Sequence, residues 1–355
     1  VQARIRRDTS VLYGMSMTPL AVRQIRQLRA QLPPEAFEPN RRRILEAVLH
    51  SAVILLGYTG VRLLPWLGPV AALVIGHSLA CLAFIGHEAS HNAVVRRRSA
   101  KHALCLWTLC PNIVPPTMWN RLHNDAHHQH AGTPNDPDRP FLEHERVPAT
   151  NWYARLTYPS ADTFIGILVF AHFVVYLARN IVTVFYPASR KPVFVPARPR
   201  YSSDERWLIS LELLVMAVLQ VGIFYGVGAD WSNYLWVSPA ALVVASAVVM
   251  AYVFTNHFLN PLTLDPDPVS GTTSVIVPTV CNWLHGHFAY HTEHHLFPAL
   301  NSDYYPLVSD ALRAQAPDQY QQLPFGEAWR RLWRVTTFRT ISTLTAQPDD
   351  PATHK

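Results

Sequence analysis

The residues best equipped for chemistry are the histidines, of which the chain has 18. Most are gathered in three clusters. GHEASH supplies His87 and His91; HNDAHHQH supplies His123, His127, His128 and His130; HGHFAYHTEHH supplies His285, His287, His291, His294 and His295. His257 follows the last apolar block, in TNHFLNP. Side chains four residues apart stand on one face of a helix, roughly 6 Å from each other, and can share one cation. Adjacent histidines point about 100° apart, so the doublets His127-His128 and His294-His295 suit two ions on either side of a helix. A lone histidine is ordinarily a satisfied core or surface residue. Eight imidazoles in one i, i+4 pair and two doublet-bearing helices are too many for one ion and suited to two. Coordination would keep so crowded a set neutral.

Imidazole is a ligand for iron and zinc alike. A structural zinc site is closed by four ligands, often including cysteine, and no cysteine falls inside these clusters. Two redox-active ions beside apolar sequence point instead to activation of O2 for attack on an unactivated C–H bond, chemistry that cofactors supply and side chains do not. One competing motif is present. His87-Glu88-Ala89-Ser90-His91 reads HExxH, the zinc-peptidase pattern with Glu as general base. An intramembrane protease would need only one more ligand, which leaves both doublets unexplained. With two ions, Glu88 is expected as a hydrogen-bond partner behind a ligating imidazole; Asp125 and Glu293 are candidates for the same task, with solvent-facing positions as their plain alternative.

These clusters need elements to hold them. The hydrophobic fraction, 49%, is within the soluble range; what matters is its collection into long blocks. The blocks 44–64 and 69–86 each have about the 20 residues a spanning helix needs, and the break at Pro65, Trp66 and Gly68 implies a hairpin. Basic residues at Arg41–Arg43 and at Arg96–Arg98 with Lys101 flank it, which places both ends on the cytoplasmic side. The apolar stretch 104–118, broken by Pro111, Pro115 and Pro116, is too short to span and suits a re-entrant or interfacial segment. Blocks 207–228 and 235–257 form a second expected hairpin. Block 163–186, interrupted by His172 and Arg179 and followed by basic sequence, is expected to lie in the membrane plane. The expected architecture is therefore all-α integral membrane: four transmembrane helices in two hairpins, with a cytoplasmic helical cap carrying a dinuclear metal site. Residues 1–43 would be a cytoplasmic N-terminal segment, 44–300 the membrane and histidine-cluster domain, and 301–355 a cytoplasmic C-terminal tail. Membrane lipids would surround it, in a bacterial inner membrane.

Composition removes other classes. Lys+Arg total 30 against 24 Asp+Glu, a net charge of +6, but no nucleic-acid-binding module accompanies the charge, and the arginine runs flank apolar blocks. Cys81, Cys105, Cys110 and Cys281 form no CxxC pair; with no cleavable signal visible, buried reduced thiols are expected. A transporter should carry ionisable residues inside its spans, and 69–86 and 235–255 offer almost none beyond His77. A soluble helical protein would have to explain four near-neutral blocks of spanning length.

The motifs HEASH at 87–91, HNDAHH at 123–128 and HTEHH at 291–295, in that order and separated by hydrophobic hairpins, resemble the three histidine boxes of the membrane fatty-acid desaturase superfamily. AYHTEHHLFP at 289–298 and GTPNDPD at 132–138 strengthen the resemblance, which covers roughly residues 45 to 300. It implies His87, His91, His123, His127, His128, His291, His294 and His295 as ligands of two iron ions cycling between Fe2+ and Fe3+, with O2 as co-substrate. His257 resembles an additional ligand of stearoyl-type desaturases. Those place an Asn four residues before that His, where this chain has Val253; Asn256 or Asn260 would have to substitute. His287 sits where many relatives carry a small residue, as an extra supporting group or a local peculiarity. The resemblance implies a fatty acid or acyl-lipid substrate, desaturation as the default reaction, and the bacterial terminal-alkene-forming fatty-acid decarboxylases, carotenoid ketolases and lipid hydroxylases as alternatives. With no HPGG haem string and no GxGxxG fingerprint, electrons are expected from a separate ferredoxin, cytochrome b5 or rubredoxin-type donor with its reductase. Arg96–Arg98, Arg190, Lys191 and Arg198 could dock such a donor.

Overall fold

A computed structural model describes residues 19–133, 135–137, 180–185, 199–260, 263 and 265–334. It is mostly helical. In chain order the elements are α1 (Pro19–Gln31), α2 (Arg42–Leu63), α3 (Gly68–Ser90), α4 (Arg98–Leu109) and α5 (Pro116–Trp119), which runs on as a π-helix at Asn120–His127 and ends as α6 (His128–His130). Then come α7 (Ile181–Phe185), α8 (Ser203–Gly226), α9 (Trp231–His257), β1 (Ser274–Ile276), α10 (Thr279–Leu284), α11 (His291–Leu296), α12 (Tyr305–Gln315), β2 (Gln322–Pro324) and α13 (Phe325–Arg334). The expected in-plane helix at 163–186 lies outside the described residues except for 180–185, and so do Arg190, Lys191 and Arg198.

Four of the described helices are long and apolar enough to cross a membrane: Arg42–Leu63, Pro65–Ser90, Ser203–Gly226 and Trp231–His257. They match the four apolar blocks, with α3 and α8 running a few residues further at their charged ends. α8 starts where a capping box dictates: Ser202 Oγ accepts from the Glu205 N–H at 3.2 Å and Glu205 Oε2 accepts from the Ser202 N–H at 2.8 Å. Such a box satisfies two donors that the first helical turn leaves open. α9 starts on Asp230, whose carboxylate accepts from the Asn233 N–H at 2.8 Å. Pro239 is tolerated inside α9 because the helix widens to π-winding at Trp236–Ala240, a usual accommodation of a missing N–H.

The helices sort into an inner and an outer pair. In α3, 67% of the most apolar window is buried, against 17% in α2 and 22% in α8. The outer faces present Leu49, Leu56, Leu214 and Val218, as lipid-facing helices should. α3 packs on α9 through Ile75, Leu79, Leu82, Leu242 and Ala245. Gly76 permits the close crossing: a Cβ there would stand 2.5 Å from the Ala241 carbonyl oxygen and from Val244. Gly76→Val is therefore expected to destabilise the bundle by about 1–3 kcal/mol, the usual range for overpacking, read as a lower melting temperature in detergent. At the far end, Arg62 donates to the Gly226 carbonyl at 3.2 Å, tying the ends of α2 and α8 together. The ends of α3 and α9 meet at the opposite pole, so the two hairpins are in register.

The cap at that pole is not purely helical. β1 and β2 pair in parallel, Ser274 opposite Gln322, which brings the segment after residue 300 back to the third histidine cluster. Leu296, Phe297 and Leu300 share one core with Tyr305, Val308, Leu312 and Tyr320, and with Ile25, Leu28 and Ala36 from the N-terminal segment. α4 is amphipathic and packs on α3 through Leu104, Cys105 and Leu109.

Candidate metal centre

Four elements aim the histidines, and α9 contributes its last residue, His257. α3 ends in His87 and His91, whose ring centroids are 5.1 Å apart. The second cluster is wound as a π-helix, and this winding decides its pairing. Residues five apart then face the same way, and His123 and His128 bring their Nε2 atoms to 3.1 Å. In α11 the ordinary i, i+4 spacing brings His291 and His295 Nε2 to 3.2 Å.

The result is two adjoining groups of buried imidazoles. His87, His91, His123, His128 and His294 form the first; His127, His257, His291 and His295 form the second. Each doublet is split, one ring to each group, as the 100° turn between neighbours requires. His128 and His295 stack across the boundary with centroids 4.3 Å apart. All nine expected ligands are therefore brought together. His130 belongs to neither group, and His285 and His287 turn away from both.

The donor set fits metal ions. His123 Nε2 lies 2.8 Å from His87 Nε2 and 3.1 Å from His128 Nε2, which is itself 3.1 Å from His294 Nε2. In the second group His291 Nε2 is 2.7 Å from His257 Nε2. Each imidazole nitrogen has one in-plane site, carrying either a proton or a lone pair. A chain of such contacts cannot be satisfied by hydrogen bonds alone. Bonds of about 2.1 Å to a shared cation would set neighbouring nitrogens about 3.0–3.4 Å apart, close to the spacing found. Burial, reinforced by neighbouring rings, holds His91, His123, His128, His291, His294 and His295 well below the ordinary histidine value. Neutral rings keep their lone pairs for a metal.

The supporting residues differ from those expected. Glu88 does not back an imidazole: Arg43 Nε stands 3.2 Å from its Oε1, and Ser302 Oγ donates to its Oε2 at 3.0 Å. Its place on α3, one residue past His87, turns it toward α2. Asp125 points outward and pairs with Arg121 at 2.8 Å. Glu293 accepts from Ser274 Oγ at 2.5 Å and from the Tyr320 hydroxyl, so it ties α11 to the β-pair. His287, with a left-handed φ of 57°, lies 3.7 Å from Asp303. Asn256 is fully buried and its amide makes no hydrogen bond among the described residues. Among the described residues, Asp136 stands 2.7 Å from His127 Nδ1 and the Tyr305 hydroxyl 3.1 Å from His294 Nδ1, and both hold imidazoles. Asp136 lies in the GTPNDPD run, the one signal that could have marked it; nothing marks Tyr305.

Arg43 anchors this region from below. It is fully buried, donates to Glu46 Oε2 at 2.6 Å and Ser302 Oγ at 2.9 Å, and contacts Glu88. Gly286 (φ 61°) passes so close that a Cβ would strike Glu88 Oε1. Arg43→Met leaves the buried Glu88 without its counter-charge, which costs about 3–5 kcal/mol. A melting temperature equal to that of the parent protein would contradict this role.

A narrow, mostly apolar cavity of about 70 Å³ opens onto the histidines between α3 and α9. Ala245, Val249, Met250 and Val253 line it along one face of α9, ending at His257, with Phe84 and Trp119 opposite. From Ala245 to His257 the helix rises roughly 18 Å, so the cavity leads from the bundle interior to the metal centre.

The sequence profile described as Fatty acid desaturase matches residues 64–326. The chain belongs to the fatty acid desaturase family. No curated protein matches the chain. The matched span takes in all three histidine boxes, the inner helix pair and the β-pair. As a desaturase-family member the protein is a membrane oxidase of the desaturase and hydroxylase type, built around a histidine metal centre. His257 reaches the second group directly, its Nε2 2.7 Å from His291 Nε2, with Val253 one turn before it on α9. The four cysteines are free thiols, three of them buried.

Proposed function

We propose that this desaturase-family protein oxidises a fatty-acyl chain at two iron ions, and that the product is an alkene. The observation that carries this reading is the meeting of an apolar cavity with two groups of buried imidazoles at the end of an inner helix pair. His87, His91, His123, His128 and His294 would hold one ion and His127, His257, His291 and His295 the other. Bound there, iron supplies activation of O2 and removal of hydrogen from a methylene. In the overall desaturation, two hydrogens of the chain, two external electrons and two protons convert O2 to two waters.

The protein's own groups bind and orient. Met250 and Val253 press an alkyl chain toward His257, and Phe84 and Trp119 close the opposite wall. Asp136 and Tyr305 fix the rings of His127 and His294. Electrons come from a separate protein of the ferredoxin, cytochrome b5 or rubredoxin type, with the metal pole on the cytoplasmic side. Arg97, Arg98 and Lys101 line a wide cleft beside the second histidine cluster, where Arg121 is already paired with Asp125 and Glu205; the three remaining cations support docking of an acidic donor. The zinc-peptidase reading loses its general base, because Glu88 is committed to Arg43 and Ser302.

Product analysis tests the proposal. Membranes containing the protein, given labelled fatty acids, O2 and a reducing system, are expected to yield an unsaturated acid of unchanged length. A hydrocarbon one carbon shorter would assign decarboxylation, a hydroxy acid hydroxylation, and no oxidised product would reject the proposal. Val253→Trp, filling the channel next to His257, is expected to lower turnover of long chains by about 10-fold or more, the scale of hydrophobic-pocket discrimination. Bound metal should be unchanged in the same samples; lost metal would show that the residue acts on the centre and not on the substrate.

A further inference from the structure

Outside the histidine boxes, His77, Cys81 and His285 form a second constellation of donors. His77 and Cys81 stand one turn apart on α3, with Cys81 Sγ 3.8 Å from His77 Nδ1. His285 reaches them from the turn after α10, its Nε2 3.1 Å from His77 Nε2. One donor atom from each residue lies within 4.8 Å of the other two, and Cys81 and His285 are buried. The Nε2 spacing equals that between His128 and His294 in the metal centre.

We propose that His77, Cys81 and His285 bind a single thiophilic d10 cation, Cu(I) before Zn(II), separate from the oxidative metal centre. Ten residues of helix put His77 roughly 15 Å from His87, and Phe84 and Phe288 stand between the sites with centroids 4.6 Å apart. A trigonal ion with bonds of about 2.0 Å to nitrogen and about 2.3 Å to sulfur sets its ligands about 3.5–3.8 Å apart. The donors need close by no more than about 1 Å. Soft thiolate with imidazole selects Cu(I) or Zn(II) over harder ions. Cu(I) with one thiolate is neutral overall, which suits a site within the spanning part of α3, where net charge is costly. The Tyr252 hydroxyl, 2.8 Å from His285 Nδ1, fixes that ring and leaves Nε2 for the ion.

The sulfur makes the test selective. Full-length protein in detergent is titrated with Co(II), whose thiolate charge-transfer band cannot arise from the all-histidine groups. One equivalent is expected to develop the band in the parent protein and in Cys105→Ser/Cys110→Ser/Cys281→Ser. The band should vanish in Cys81→Ser and need at least about 10-fold more Co(II) in His285→Ala. No band in the parent, or a band that survives Cys81→Ser, overturns the proposal. Melting temperature and iron content check that each variant is folded, and Cys81→Ala serves if Cys81→Ser is not. In a second arm, one equivalent of Cu(I) or Zn(II) should be held against a colorimetric chelator and lost with Cys81. Retention of either supports the site and names the ion; retention of neither rejects it.

Discussion

Turnover is expected to fall to background in both His127→Ala and His294→Ala, with bound iron lowered in each. The two variants should not be equivalent. His127 belongs to a group of four imidazoles and His294 to a group of five. Removing one of four leaves three donors, whereas removing one of five leaves a complete tetrahedral set. His127→Ala should therefore release more iron than His294→Ala, measured as metal per chain after gel filtration. His130→Ala is the matched control, since His130 stands two residues from a ligand candidate yet lies in neither group. It should retain both iron and activity. Full activity in the first two variants would remove the oxidative assignment.

Asp136→Asn is expected to weaken iron binding by about 10–100-fold, the range for carboxylates that orient metal-bound histidines. Its Oδ1 is 2.7 Å from His127 Nδ1 and both groups are buried. A carboxylate there fixes the proton on Nδ1, turns Nε2 toward the second group and raises the basicity of the ring. Asparagine keeps the shape but not the charge. Competition against an iron chelator measures the change, and Asp125→Asn supplies the comparison. Asp125 is exposed and paired with Arg121, so its loss should leave iron affinity where it was. Equal effects in both variants would mean that the buried contact does not tune the metal.

The spanning helices were legible because their signal is local. A helix in lipid must satisfy its own backbone and be apolar along about 20 residues, and α2, α3, α8 and α9 meet both demands within their own segments. The ligand candidates were legible for a related reason: the doublets and i, i+4 pairs state their directions through helical periodicity alone. That rule foresaw the division of His127 from His128 and of His294 from His295 between two groups.

The partners of these rings were not legible. Glu88, Asp125 and Glu293 neighbour histidines in sequence, yet all three turn to other partners. Side chains one or two positions from a ligand on a helix point away from the ion it would bind. The groups that support the imidazoles come from nine and eleven residues away, Asp136 and Tyr305, across turns whose geometry no periodic pattern records. His285 likewise stands in the third histidine cluster of the sequence, ahead of the box at 291–295, and joins His77 and Cys81.

What the amino-acid order determined by itself was the inventory: four membrane-length helices, eight box histidines able to meet at one pole, and the division of each doublet between two groups. What only the tertiary structure decided was register and company. The π-winding at Asn120–His127 pairs His123 with His128, Gly76 lets the inner helices close on the channel, and the parallel β-pair brings Tyr305 and Tyr320 to the third box. The physical reason is range. Periodicity and hydropathy act over one helix, whereas hydrogen-bond partners and close crossings are set by where distant segments come to rest.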